Sequence, residues 1–256
     1  MSPIFRKKKY EYGIALGGGG VRGFAHLGVL QALEEKGIKP DIISGTSAGA
    51  IAGVYIASGK SPFEVFELMK DHRLIDFVEV RLPKTGLLNL DKLRKSLAEH
   101  IKADDLKELP IPFYVCISDI INGHVEYFSE GPLVKLVQAS ASIPVLFAPV
   151  EIDGRIYSDG GLFDNVPVEP LKNQCRKIIA VNVSPINKTN KVKNLVQIAS
   201  RTFHLSVNST ITGLKDNCDL IIEPPELEKF EILDAGKADE IYKVGYEYCK
   251  NMNIDL

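Results

Sequence analysis

The sequence is poor in several features that would by themselves point to a protein class. It has four cysteines, five histidines and a formal net charge of only −2, and no apolar run of 18 residues. The near-neutral charge gives no basis for nucleic-acid binding, and without a long apolar run we expect no membrane-spanning helix. The cysteines lie far apart and form no C-x-x-C pair, which favours reduced core thiols over disulfides or metal ligands. They are Cys116, Cys175, Cys218 and Cys249.

The first 16 residues, MSPIFRKKKYEYGIAL, lack the apolar segment and the small-residue cleavage site of a secretory signal peptide. We therefore expect a cytoplasmic protein, with a basic tail over residues 1–11 and a single domain over residues 12–256. The cluster from Arg6 to Lys9 has two interpretations: it is a solvated chain end, or it adds a weak attraction to anionic lipid and with it a peripheral membrane contact. Nothing in the sequence indicates an oligomeric state.

Apolar periodicity divides the chain into alternating strands and helices. Strands are predicted over 12–16, 41–44, 111–118, 125–128, 150–152, 155–157, 177–183 and 219–223, and helices over 23–36, 47–58, 91–101, 133–141, 191–214 and 237–250, with one more beginning at Ser61. This alternation predicts an α/β fold with a largely parallel sheet that is covered by helices on both sides. Residues 74–90 have no clear period, and we predict a mobile connection there that borders a ligand pocket.

The stretch Gly45-Thr46-Ser47-Ala48-Gly49 directly follows a predicted strand and begins a predicted helix. This is the pattern of a nucleophile elbow, in which Gly45 and Gly49 permit a sharp turn that exposes the Ser47 hydroxyl. A glycine-rich turn before a helix is also an ordinary structural device. A catalytic serine would in addition need a neighbouring base to accept its proton.

A second glycine cluster, GGGGVRG over residues 17–23, follows the first predicted strand. Within it Gly18, Gly20 and Gly23 match the dinucleotide-binding fingerprint, but the acid that would hold the ribose is absent, because the second strand ends in Ser44 and Gly45. The alternative is that the glycine amides form an anion cradle for a tetrahedral oxyanion. Both glycine loops would then lie at the same edge of a parallel sheet.

The base is harder to identify, because no histidine lies close to Ser47 in the sequence. His204 falls within a predicted helix, where an ordinary helical histidine is the simpler interpretation, and His26 is best placed to pack under the glycine loop. Asp159-Gly160-Gly161 follows a predicted strand, and the two glycines permit a tight turn that points the carboxylate inward. A purely structural aspartate in a turn is the alternative interpretation.

Taken in order, GGGGVRG at 17–23, GTSAG at 45–49 and SDGG at 158–161 resemble the patatin-like phospholipases, and the pattern is close to that of the bacterial members. The resemblance continues through residues 22–30 and 139–150 and covers about residues 12–170. The last 85 or so residues carry no motif that matches. Three motifs at compatible spacing are much more specific than any one of them.

The resemblance implies a three-layer α/β/α sandwich and a lipid acyl hydrolase that acts on phospholipids or lysophospholipids without a metal or another cofactor. It implies a catalytic dyad of Ser47 and Asp159, and an oxyanion hole at three glycines of the first loop, which Arg22 helps to hold. The oxyanion-hole residues are Gly18, Gly19 and Gly20, and the supporting motif residues are Arg22, Gly23, Gly45, Gly49, Gly160 and Gly161. The alternative is a non-catalytic lipid-binding or regulatory module that retains the same fold.

Overall fold

A computed structural model of the protein describes residues 8–71, 79–80, 88–186, 195–211, 213–232 and 235–256. The strands are β1 Tyr10–Leu16, β2 Ile42–Thr46, β3 Glu79–Val80, β4 Leu88–Asn89, β5 Phe113–Asp119, β6 His124–Phe128, β7 Val150–Ile152, β8 Arg155–Asp159, β9 Cys175–Val181 and β10 Leu220–Ile222. The α-helices are α1 Phe24–Glu35, α2 Ala48–Ala57, α3 Pro62–Asp71, α4 Asp91–His100, α5 Leu133–Ser140, α6 Leu195–Ser209 and α7 Ala238–Asn251. Short 3-10 turns include Gly20–Gly23 and Gly160–Leu162.

Two strands begin earlier than the sequence predicts. The residues that extend β1 and β9 pair with each other, with Tyr10 opposite Cys175. The amide of Tyr10 also donates a 3.0 Å hydrogen bond to the carbonyl of Gln174. Polar residues at these strand ends hid the extension from a search for apolar runs, because the backbone ladder forms whatever side chains the strands carry.

The central sheet has eight strands, of which seven follow the order β10-β9-β1-β2-β5-β8-β7, while β6 pairs with β5. The five strands from β10 to β5 run parallel to one another, and β6, β7 and β8 join in antiparallel pairs. The predicted largely parallel sheet is therefore confirmed. The antiparallel part contains two hairpins, one around Asn122-Gly123 and one around Asp153-Gly154.

Helices cover both faces of this sheet, as the burial of alternate strand residues requires. In β1, Ile14 and Leu16 belong to the larger apolar core, whereas Ala15 between them belongs to a second core on the other face. The same alternation holds in β9, where Ile179 lies in the first core and Ile178 in the second. The three-layer α/β/α architecture is thus present.

The pairing around β5 brings the ends of two distant strands together. β6 occupies one edge of β5 along residues 115–119, so β2 and β8 must share the other edge. On that edge Thr46 lies opposite Cys116, and Asp159 lies opposite the next residue, Ile117. The last residue of β2 and the last residue of β8 therefore lie next to each other, although they approach from opposite directions.

Residues 74–90, for which we predict a mobile segment beside the pocket, fall mostly outside the described residues. The described part of this segment includes β3 and β4, which form an isolated antiparallel pair. No helix among the described residues has both the length and the apolar character that crossing a bilayer requires.

Candidate active site

Ser47 lies at the sharp turn between β2 and α2. Its φ is 53° and its ψ −120°, a left-handed conformation that is unfavourable for any residue other than glycine. A Cβ on Gly45 would lie 2.6 Å from the carbonyl oxygen of Gly49, and a Cβ on Gly49 would lie 2.1 Å from that of Leu16. Both glycines are therefore needed for the chain to turn this tightly and to place α2 directly against β1.

The last residue of α5, Ser140, forms a hydrogen bond to the backbone of this turn. The amide of Ser47 donates a 2.9 Å hydrogen bond to Oγ of Ser140, and that hydroxyl donates a 2.7 Å hydrogen bond to the carbonyl of Cys116. Two residues further on, the carbonyl of Ser142 accepts a 3.0 Å hydrogen bond from the amide of Asp159. One short segment thus binds the backbone of both predicted catalytic residues. The sequence analysis did not identify Ser140, whose only signal is its place within residues 139–150, which resemble the family.

Asp159 ends β8, and its side chain is completely buried. Oδ1 accepts a 2.8 Å hydrogen bond from the amide of Gly161, whereas Oδ2 has no hydrogen bond of standard geometry to a described residue. Burial raises the pKa of Asp159 to about 7, and the Ser47 hydroxyl and the Gly161 amide act in the opposite direction. The Ser47 hydroxyl is therefore close enough to the carboxyl group to affect its protonation.

The first glycine loop lines the same pocket as Ser47 and Asp159. The amide of Gly18 already donates a 3.2 Å hydrogen bond to the carbonyl of Asn165. The amides of Gly19 and Gly20 have no acceptor among the described residues. Of the three predicted oxyanion donors, Gly19 and Gly20 are thus the two whose amides remain available to a bound anion.

Arg22 connects this loop to the C-terminal part of the chain, and its side chain is completely buried. Its guanidinium donates hydrogen bonds of 2.9 and 2.6 Å to the carbonyl of Phe230 and one of 3.0 Å to the carbonyl of Pro185. Burial lowers the pKa of Arg22 to about 10, with a further contribution from the charge of Arg201. Since a guanidinium at pKa 10 remains charged at pH 7, a buried cation with three carbonyl contacts holds the loop in place.

The other motif glycines occupy positions where backbone or side-chain atoms come very close. A Cβ on Gly23 would lie 2.8 Å from the Cβ of Ala48, which belongs to the first turn of α2. A Cβ on Gly160 would lie 2.4 Å from the carbonyl oxygen of Cys116, and one on Gly161 would lie 3.1 Å from Oδ1 of Asp159. These glycines therefore allow the first two motifs to pack tightly against each other and the third motif to pack tightly against β5.

Neither buried histidine is bonded to Ser47. His26 packs under the glycine loop as predicted, and its Nε2 donates a 2.7 Å hydrogen bond to the carbonyl of Gly17. His204 lines the pocket, and its Nε2 donates a 3.4 Å hydrogen bond to the carbonyl of Ser184. Burial lowers the pKa of both rings to about 4, so both are neutral near pH 7. Among the described residues, no hydrogen bond joins a histidine ring to Ser47.

Much of the pocket wall comes from the region after residue 172, for which the sequence offered no motif. The apolar residues of the whole pocket wall are Ile143, Phe203, Val207 and Ile232. The polar residues of the wall outside the three motifs are Asn165, Ser184 and His204. Four of these residues lie in α6 or close to the end of β9. The last third of the chain therefore completes the pocket beside Ser47.

One group of ligand-type side chains lies elsewhere in the described residues, at the β5–β6 hairpin. Asp119, His124 and Glu126 place one ligand atom each within 4.8 Å of one another. However, Glu126 already accepts hydrogen bonds from Arg155 and Tyr157, and Asp119 accepts from the amides that follow it. No motif in the sequence marks this group, and its internal hydrogen bonds explain it as a structural network.

The chain is similar in sequence to several known proteins. An uncharacterized NTE family protein of Mycobacterium tuberculosis is 34% identical over 160 residues, which are 62% of this chain and 44% of that protein. Lysophospholipase NTE1 of Candida glabrata is 29% identical over 273 residues, 93% of this chain and 16% of that protein. Patatin-like phospholipase domain-containing protein 6 of Homo sapiens is 26% identical over 271 residues, 93% of this chain and 20% of that protein.

Among solved structures, the chain is similar to VipD from Legionella pneumophila. The match covers 94% of this chain and 67% of the VipD chain, with a TM-score of 0.48 and 17% sequence identity. The chain spans less than half the length of each of the three relatives named above. The family model for patatin-like phospholipases matches residues 14–172, a range that contains all three glycine motifs. The sequence match and the α/β/α architecture lead to the same conclusion: the chain belongs to the patatin-like phospholipase family.

Proposed function

We propose that the protein hydrolyses carboxylic ester bonds of lipids, with Ser47 as nucleophile and Asp159 as general base. The observation that carries this proposal is the pairing of a serine in a strained left-handed turn with a buried carboxyl group whose pKa is raised to about 7. Strained backbone and perturbed carboxyl groups are both concentrated at functional sites. The relatives that are named as phospholipases or lysophospholipases support the same class of substrate.

In the proposed reaction, Oδ2 of Asp159 accepts the proton of the Ser47 hydroxyl while Oγ attacks the ester carbonyl carbon. The amides of Gly19 and Gly20 donate to the oxyanion of the tetrahedral intermediate. The intermediate collapses when the ester C–O bond breaks, and the departing alcohol or lysolipid takes the proton from Asp159. An acyl-serine remains, and the same carboxylate then accepts a proton from water while the water oxygen attacks the acyl carbon. When this second tetrahedral intermediate collapses, its bond to Oγ of Ser47 breaks, Oγ takes the proton back from Asp159, and the carboxylic acid is released.

The buried state of Asp159 matters for this step. An aspartate with an ordinary pKa of about 3.9 is ionised at pH 7 but is a weak base. A pKa of about 7 matches the carboxylate to proton transfer near neutral pH, where general bases are most effective. The neutral His26 and His204 are not needed for the reaction.

The substrate class follows from the pocket wall. Ile143, Phe203, Val207 and Ile232 surround the site with apolar side chains that suit an acyl chain. A phospholipid or lysophospholipid is therefore the proposed substrate, and the residues that line the site suggest no metal or cofactor requirement. A single catalytic domain over 12–256, a cytoplasmic location and a peripheral membrane contact belong to the same proposal.

A fluorophosphonate probe tests the nucleophile directly, because it forms a stable tetrahedral adduct with an activated serine. We expect peptide mapping to place the adduct on Ser47, and we expect wild type to hydrolyse a nitrophenyl acyl ester while folded Ser47→Ala does not. An adduct on another serine would contradict the assignment. Folded wild type that binds lipid vesicles but neither labels nor turns over would favour the non-catalytic lipid-binding module.

A further inference from the structure

Several exposed apolar side chains are close along the chain to residues that line the candidate pocket. Val145 follows the pocket residue Ile143 by two positions, and Ile186 follows the pocket residue Ser184 by two positions. Three more belong to α6, whose inner side chains line the pocket. We define this set as the apolar rim: Val145, Ile186, Leu195, Ile198 and Leu205, with exposed fractions of 61%, 50%, 79%, 50% and 46%.

Helix α6 carries apolar residues on two opposite faces. Phe203 and Val207 line the pocket, whereas Leu195, Ile198 and Leu205 are spaced by three and seven residues and therefore form one stripe on the solvent side. A surface helix normally presents polar residues on that side. Single exposed leucines need no explanation, but a stripe that adjoins a substrate pocket is typical of an interaction surface.

Val145, two residues after the pocket residue Ile143, adds a second observation. Its φ is 70°, a left-handed conformation that is a clear outlier for a β-branched residue. The cost of such a conformation is of order 1–3 kcal/mol and is usually found at functional sites. Here the strained backbone places an apolar side chain in solvent. Burial of that side chain within the protein therefore does not offset the cost of the strain.

We propose that the apolar rim docks on the surface of an anionic phospholipid bilayer, so that an acyl chain can enter the pocket without crossing water. The substrate-delivery role rests on the proposed hydrolase function, whereas docking itself does not. Apolar side chains that enter the interface and nearby cations that attract anionic headgroups are the two components of peripheral membrane binding.

The distribution of charge favours an anionic surface and indicates which side faces it. The eight residues that precede α6 in the sequence, NKTNKVKN at 187–194, contain three lysines and no acidic residue. An anionic bilayer would therefore attract the α6 side of the rim.

The test is vesicle sedimentation with the full chain. We expect wild type to sediment with vesicles of phosphatidylcholine and phosphatidylglycerol, and much less with phosphatidylcholine alone. The double variant Ile198→Glu/Leu205→Glu should lose binding by about tenfold or more, because it places two anions on the rim. The matched control is Phe63→Glu, since Phe63 is 55% exposed near the start of α3, beyond the far end of α2 from Ser47.

Activity separates docking from chemistry. A soluble short-chain ester should be hydrolysed equally by wild type and both variants, whereas hydrolysis of vesicle lipid should fall only in the rim variant.

Equal vesicle binding by wild type and the rim variant would overturn the proposal, as would an equal loss of vesicle binding in Phe63→Glu. A wild-type dimer that the rim variant converts to a monomer, without any vesicle binding, would instead assign the rim to a second copy of the chain. If no ester is hydrolysed but vesicle binding still depends on the rim, the hydrolase proposal fails and the docking proposal stands.

Discussion

The backbone N–H of Ser47 donates a 2.9 Å hydrogen bond to the hydroxyl of Ser140, which donates in turn to the carbonyl of Cys116. This buried hydroxyl joins the turn that carries Ser47, the proposed nucleophile, to β5. Asp159 lies at the end of β8, which also pairs with β5. Because the Ser47 backbone is strained, a fixed acceptor for its amide helps to hold the hydroxyl in register with the carboxyl group.

We expect Ser140→Ala to lower kcat roughly tenfold to a hundredfold with little change in KM, because a small displacement of a reacting group has effects of that size. The free energy of unfolding should fall by about 1–3 kcal/mol, the typical cost of an unsatisfied buried hydrogen-bonding group. Steady-state kinetics on a soluble ester and the rate of fluorophosphonate labelling measure the first effect, and thermal or urea unfolding measures the second.

Ser142→Ala is the matched control for this prediction. Ser142 is equally buried, but its hydroxyl donates only to the carbonyl of Gln138 within the same segment. Its removal should reduce stability to a similar degree and leave kcat and the labelling rate nearly unchanged. If both variants lose activity in proportion to their stability, Ser140 has a structural role only.

The pH dependence of kcat/KM should report the Asp159 carboxyl group. Since the base must be ionised and its pKa is about 7, activity should rise with pH and reach half of its plateau close to pH 7. A stopped assay with a soluble ester across pH 5–9 measures this limb. Activity that stays constant between pH 5 and pH 9 would contradict a base with the raised pKa of Asp159.

Asp159→Asn should abolish turnover and stabilise the fold at alkaline pH. The pKa of Asp159 is higher in the folded protein than in the unfolded chain, so the folded state binds the proton more tightly, and its contribution to stability declines as pH rises from about 4 to 7. Above pH 7 the wild type carries a buried, incompletely bonded carboxylate that asparagine lacks. We expect a gain of at most about 4 kcal/mol at pH 8, since each pKa unit corresponds to about 1.4 kcal/mol, and a smaller difference at pH 5.

Thermal unfolding of wild type and Asp159→Asn at pH 5 and pH 8 measures this difference. A variant that is less stable than wild type at both values would show that the carboxylate makes favourable contacts in the folded state. An active Asp159→Asn protein would contradict its role as base.

The histidine variants separate a dyad from a triad. His204→Ala should retain substantial activity, because the ring is neutral and bonded to Ser184. His26→Ala should also turn over substrate when folded, but with a free energy of unfolding lower by about 2–5 kcal/mol, because it leaves a cavity and an unpaired carbonyl at Gly17. A folded His204→Ala protein as inactive as Ser47→Ala, beside an active Asp159→Asn, would restore a histidine as the base.

Local sequence determined a large part of this protein. Apolar periodicity and turn residues were sufficient for the strand and helix order, and the glycines around Ser47 and after Asp159 marked tight turns, because such turns depend on the residues that form them. Local pattern also placed His26 under the glycine loop. It erred at the ends of β1 and β9, where backbone pairing between distant segments extends the strands beyond their apolar residues.

Only the tertiary structure decided how these parts meet. Two strands share one edge of β5, so Thr46 and Asp159 lie opposite neighbouring residues, and the sequence of neither strand specifies that arrangement. The bond from Ser47 to Ser140 and the pocket wall supplied by α6 likewise join segments that are distant along the chain. The raised pKa of Asp159 depends on complete burial, which is a property of everything packed around the carboxyl group and is encoded by no single motif.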